Sequence, residues 1–162
     1  MKIRDIGEIS YSELDPDIQT DVANRIGFKR GEITEEEIIG GEEPDSLIDI
    51  KIMLENGPSV LPLVAVNPKQ LLDASPTRGI SEVAAREYAG IPGSEFPPVI
   101  IDSDRKKTVL QEGGHRTRAA VLRGDKEITA IDIAGARIVP YKWRGEVLET
   151  FAFKRKTRSP KD

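Results

Sequence analysis

Apolar residues return every fourth position at Leu14, Ile18, Val22 and Ile26, the spacing of one helix face. Asp15-Pro16 supplies an N-cap and a first helical residue, and Gly27 a stop. Residues 1 to 10 fit a short strand. Thr34-Glu35-Glu36-Glu37 fits a capping box ahead of Ile38 and Ile39, with Gly40-Gly41 ending that helix early. Farther on, Ile48, Ile50, Ile52 and Leu54 alternate with Asp49, Lys51 and Met53. That period of two predicts a strand, closed by the turn Asn56-Gly57-Pro58.

From Val60 the elements become denser. Leu61 to Val66 reads as a strand carrying Pro62, and Pro68 opens a short helix through Leu72. Asp73 to Gly79 is a polar turn. Ser81 to Tyr88 reads as a helix stopped at Gly90, and Gly90 to Pro98 as a loop. Val99-Ile100-Ile101, a turn at Asp102-Ser103-Asp104 and Thr108 to Leu110 predict a hairpin. A helix follows over 114–122, with Arg123-Gly124 as its C-terminal signal. Ile128 to Ile133 is another strand, and Gly135 permits a turn into Ile138-Val139. The expected class is α+β, a small mixed sheet with packed helices. Residues 1–58 are expected to form an N-terminal extension on a core at 59–142, followed by a strand and basic tail at 143–162.

Composition narrows the chemistry. At 162 residues, one hydrophobic core is expected. Aromatics make up 5%, so that core must rest on Ile, Leu, Val and Ala. The net charge of −4 weighs against a dedicated duplex-DNA binder, whose affinity scales with the phosphates it neutralises. No cysteine is present, which excludes disulfides, a thiolate nucleophile and cysteine-ligated metals. No apolar run approaches the roughly 20 residues of a membrane helix, and the charged start does not read as a signal peptide. A cytoplasmic protein without a membrane partner is expected. Sequence does not give an oligomeric state.

The densest chemistry lies in Glu112-Gly113-Gly114-His115-Arg116-Thr117-Arg118. An apolar strand ends in an acid and two glycines. The only histidine, an arginine and a helix follow. Glycines let backbone approach a polyphosphate closely, and the free N–H groups of a first helical turn favour an anion. Arg116 has the fork geometry that grips phosphate oxygens in pairs. Arg118 lies two positions on and points elsewhere, to another phosphate or to the protein. Glu112 could bind magnesium through water or accept a proton from an attacking hydroxyl. The plain alternatives are a tight strand-to-helix turn, a capping imidazole and a salt-bridging arginine.

Gly113 to Ala119 resembles the G-x-x-R-x-R-A box of the ParB/sulfiredoxin superfamily, and with Glu112 the D-G-x-H-R box of its free-standing members. Pro97-Pro98-Val99-Ile100-Ile101-Asp102 is similar to the family's strand before the hairpin, and Leu122-Arg123-Gly124 with Ile128 to Ile131 to its ending. The resemblance covers roughly half the chain. It implies a ParB/sulfiredoxin-like fold and a site for a nucleoside di- or triphosphate, often with Mg2+. Gly113, Gly114, His115, Arg116, Thr117 and Arg118 would bind the nucleotide. Glu112 and His115 would be the catalytic candidates, and Glu112 the magnesium ligand.

Family activities include nucleotide hydrolysis, phosphoryl transfer, nuclease action and sulfinic-acid repair. Sulfiredoxin's cysteine is missing here, which excludes repair by that route. Only about 25 residues follow the last strand of the motif, so a partition clamp with a helix-turn-helix domain is not expected. Thr77 and Arg78 are further candidates, from the loop that faces the same cleft in relatives. Glu82 and Glu87 are weaker candidates for a catalytic acid.

Elsewhere the residues read plainly. Glu32 to Glu37 is a solvated helix start. Trp143 with Tyr141 reads as a core or edge anchor. Lys154, Arg155, Lys156 and Arg158 form a basic end that could contact nucleic acid beside Phe151 and Phe153. The leading expectation is a nucleotide hydrolase or phosphotransferase. The alternative is a DNA-binding accessory factor or nuclease that uses the same cleft and the basic tail. A third is a nucleotide-binding module without turnover.

Overall fold

Expectation and structure agree on most elements in a computed structural model that describes residues 1–75, 80–93, 96–104 and 108–154. Seven strands and six α-helices are found along the described residues. They are β1 (Ile3–Ser10), α1 (Pro16–Lys29), α2 (Glu35–Ile39), α3 (Asp45–Asn56), β2 (Val60–Val66), α4 (Pro68–Ala74) and α5 (Glu82–Ala89), then β3 (Val99–Asp102), β4 (Val109–Glu112), α6 (Gly114–Arg123), β5 (Ile128–Asp132), β6 (Arg137–Trp143) and β7 (Glu146–Ala152). Among the described residues no helix is long and apolar enough to cross a membrane.

The chain forms two compact units. One includes Met1–Gly7 and Pro62–Ala134, and the other Glu8–Leu61 and Gly135–Lys154. These divisions differ from the expected boundaries after 58 and 142. Residues 137–143 pair along their whole length with 146–152, and that ribbon leaves the first unit as one piece.

In the first unit the class is α+β, with a mixed five-stranded sheet in the order β1-β2-β5-β3-β4. β5 lies between an antiparallel partner, β2, and a parallel one, β3. Parallel neighbours cannot be joined by a tight turn. The chain therefore runs back along β4 and crosses over through α6 before it enters β5. Val64, Val66, Val99, Ile101 and Ala130 share a buried cluster with Ile3 and with Leu71 of α4. Ala85 of α5 and Ala119 and Ala120 of α6 are buried without exposure, small residues that let these two packed helices approach closely.

Asp132 closes the sheet at its far end. Its Oδ1 accepts hydrogen bonds from the Ser103 N–H at 3.1 Å and the Ala134 N–H at 3.0 Å. Its Oδ2 accepts a short bond from the Ser103 hydroxyl. Burial pushes the carboxyl above its ordinary range; the bonds from Ser103 and Ala134 counter this and the neighbouring Asp102 charge adds to it.

In the second unit α1 packs on α3, and α3 on β7. Two expectations are corrected here. Residues 48–54 are helical, not a strand. Leu47, Ile50 and Leu54 are the buried positions of α3, while Ile48 and Ile52 are exposed. The alternation arose because isoleucine occupies both faces of the helix, so polarity alone reported the wrong period. Gly27 does not stop α1, which continues to Lys29 and is closed by the Arg30 N–H on the Ile26 carbonyl. Gly27 serves packing instead. A Cβ there would lie 2.7 Å from Ile33 Cγ1 and 2.9 Å from Ile50 Cδ1. The capping box at Thr34 is present, with both reciprocal bonds made.

Gly27→Ala should therefore destabilise the protein by about 1–3 kcal/mol through overpacking, against the gain that alanine brings to a solvated helix; urea unfolding measures the sign. Asp132 gives a pH test. Its proton is held more tightly in the folded than in the unfolded chain, so its contribution declines as pH rises from the ordinary carboxylate range through the raised folded value. Asp132→Asn should remove that decline from the pH dependence of Tm.

Candidate functional site

The box lies where the crossover begins. β4 ends at Glu112, whose Cα is paired with that of Ile100 on β3. The chain must then reverse into α6 within one residue. Gly113 does this at φ 104°, ψ 33°, the left-handed region that glycine enters without penalty. A Cβ on Gly113 would also stand 2.6 Å from Val99 Cγ1 and 3.0 Å from Arg116 Nη2. Gly114 follows with Ile80 Cγ1 at 3.1 Å from the same imagined atom. The two glycines thus form a cradle that side chains would fill. α6 has no side-chain cap at its N-terminus, and the N–H groups of a first helical turn have no acceptor within the helix itself.

A pocket of about 230 Å³ opens at this point, lined by Tyr88, Phe96, Glu112, Gly113, Gly114, His115 and Arg116. Five of these seven residues are sequence candidates brought together. The remaining two, Tyr88 and Phe96, touch edge to face at 5.5 Å and were not foreseen. Only the proximity of Phe96 to Pro97-Pro98 hinted that its ring would be held in place.

The charged candidates already have work within the fold. Arg116 Nη1 donates to the Pro97 carbonyl at 2.9 Å and the Pro98 carbonyl at 3.0 Å. His115 Nε2 accepts the Ser81 N–H at 3.0 Å, so Nε2 carries the lone pair and Nδ1 the proton. Arg118 pairs with Glu82 at 3.0 Å. That pair is to the protein, one of the two directions open in the sequence. Glu82 is the partner in that pair. Glu87 does not line the pocket. Thr117 is buried, and its hydroxyl donates to the Gly113 carbonyl at 2.8 Å. Its side chain closes the helix start from within.

Arg123, read only as a helix end, is a second anchor. Its Nη1 donates to the Tyr88 and Ile91 carbonyls at 3.2 and 3.1 Å, and its guanidinium pairs with Asp125. Seven residues apart, Arg116 and Arg123 lie on one face of α6. Together they hold the proline-bearing segment between α5 and β3. That segment and Arg116 also line a larger cavity of about 490 Å³, with Val99, Asp125, Glu127 and Thr129.

Ser75 is also committed, donating to the Leu71 carbonyl and accepting the Leu110 N–H at 2.9 Å. Thr77 and Arg78 lie outside the described residues, as do Arg155, Lys156 and Arg158. Lys154 is exposed in the second unit. Among the described residues no three His, Asp or Glu side chains form a metal-holding group. A magnesium ion at Glu112 would thus have to take its other ligands from phosphate oxygens and water, as that ion commonly does.

The turn is the most sensitive point. Gly113→Ala should cost about 2–4 kcal/mol, from the left-handed conformation and the clash with Val99 together, whereas Gly124→Ala, with open space around its Cβ, should cost only the conformational part. Paired denaturation curves separate the two. Compared with protein-family models, curated proteins and solved structures, the chain finds no match.

Proposed function

We propose that the cradle at Gly113 to Arg116 binds the phosphates of a nucleoside di- or triphosphate, and that the first unit is a ParB/sulfiredoxin-type domain. The carrying observation is the uncapped start of α6 behind a left-handed glycine, opening into a pocket that also holds Glu112 and Arg116. Such a terminus offers N–H donors and a partial positive charge to an anion. The order of hairpin, box helix and strand supports the family reading.

Arg116 is the phosphate grip. In the structure its Nη1 is aimed at two neutral carbonyls. A phosphate oxygen is the stronger acceptor for a guanidinium, and Nη2 already stands against Gly113 at the cradle. His115 acts as a positioning residue, because its Nε2 lone pair is held by Ser81. The reaction is phosphoryl transfer. An oxygen nucleophile, water or an acceptor hydroxyl, forms a bond to the terminal phosphorus while the bond to the bridging oxygen breaks. Glu112 takes the nucleophile's proton or holds magnesium through water.

Thermal denaturation with a panel of nucleoside di- and triphosphates, with and without Mg2+, tests binding. At a hundredfold excess over Kd a ligand adds about 2.7 kcal/mol, or about 5–10 °C in Tm for a chain of this size. Arg116→Lys keeps the charge but not the paired geometry, and should lower affinity tenfold or more while circular dichroism is unchanged. A panel without any shift, or a lysine variant that binds as tightly, would sink the assignment. Glu112→Gln then separates turnover from binding alone: phosphate release should fall while the Tm shift persists.

A further inference from the structure

Charge is distributed very unevenly along the chain. Residues 135–162 carry eight lysines and arginines against three acids, whereas residues 1–134 carry sixteen against twenty-five. Five of those eight cations lie from Lys154 onward, and the β6–β7 ribbon of the second unit itself carries Arg137, Lys142 and Arg144 against Glu146 and Glu149. Arg137, Tyr141 and Trp143 alternate along β6 and so share one face. They span about 20 Å at the rise of an extended strand.

The tip of the ribbon is unusual in three ways. Trp143 is 45% exposed, so the expected anchor is half in solvent. The Arg144 guanidinium lies over its ring, 4.5 Å from the centroid. Arg144 and Gly145 make the turn at φ 48° and 80°, a two-residue turn with both central residues left-handed. Asn-Gly is the favoured pair for such a turn. Among the described residues Arg144 is the one non-glycine with positive φ. The ribbon thus sets an arginine at some conformational cost, where it projects beside an exposed indole and next to Lys142.

We propose that this face of the ribbon is a contact surface for single-stranded nucleic acid. The Trp143 ring stacks on an unpaired base, and Arg137 and Arg144 meet phosphates. Stacking needs a flat ring open on one face, and cations alongside neutralise the backbone. The sign of charge fits: the ribbon is net positive, and the strongly basic residues 154–162 follow it in an otherwise acidic chain. A duplex offers such a ring no free base face. This inference stands apart from the nucleotide reading, since none of its residues belongs to the unit that carries the box.

Trp143 is the only tryptophan in the chain, so its emission reports on the contact directly. Titration of the full chain at low salt with an oligothymidylate of about 15 nucleotides should quench that emission. Added salt should reverse the effect. With a labelled oligonucleotide, Trp143→Leu and Arg144→Gln should each weaken binding tenfold or more. Glu146→Gln, which removes the acid paired across from Trp143, should bind as well or better. Unchanged emission, or a Trp143→Leu variant that binds like the parent, would overturn the proposal. So would emission that responds to anionic phosphatidylserine vesicles and not to the oligonucleotide. Should Trp143→Leu fail to fold, Trp143 emission in the Arg144→Gln variant decides alone.

Discussion

The parallel pairing of β3 with β5 is the constraint from which the site follows. Two parallel neighbours oblige the chain to return across the sheet between them. Here the return is made by β4, one glycine and α6. The reversal at Gly113 has no alternative residue, because Val99 fills the space where a Cβ would go and the backbone is left-handed. Glycine at the N-cap brings no side chain to cap the helix. Its first turn starts beside the residues that end β4 and begin α6: Glu112, His115 and Arg116. Topology thus produces the glycine-led start of α6 before any functional residue is considered.

The surrounding polar groups obey a second requirement, that buried backbone be paired. The segment between α5 and β3 contains Pro92, Pro97 and Pro98 and runs as neither helix nor strand between Pro97 and Pro98. Arg116 and Arg123 serve its carbonyls from one face of α6. On the other side of the cradle, His115 and Arg118 fasten the start of α5 through Ser81 and Glu82. Ser75 and Asp132 perform the same service for other breaks in the sheet.

Much of this was legible in the sequence. Gly113, Gly114 and Gly124 mark the helix that runs between them, since glycine placement reflects backbone geometry directly. The capping box at Thr34 and the proline starts at Pro16 and Pro68 are equally local signals. What escaped is non-local. Ile48 and Ile52 looked inward because their polarity matches Ile50, and only packing against α1 decides which face is buried. Gly27 looked like a stop because sequence does not reveal Ile33 and Ile50 pressing on it. Within the site, the residue types and their neighbourhood were legible, but not their partners. That Thr117 turns inward, that Arg118 reaches Glu82 and that Phe96 and Tyr88 build the wall depend on α5 lying against α6.

The dual engagement of Arg116 has a consequence for how such a site can change over time. The same guanidinium supplies positive charge to the cradle and holds the carbonyls of the wall beside it. A lineage that lost the need for an anion there could not simply discard the charge, because the wall would lose its fastening. Arg116 would persist as masonry whatever the corner bound, and the corner would keep its positive charge.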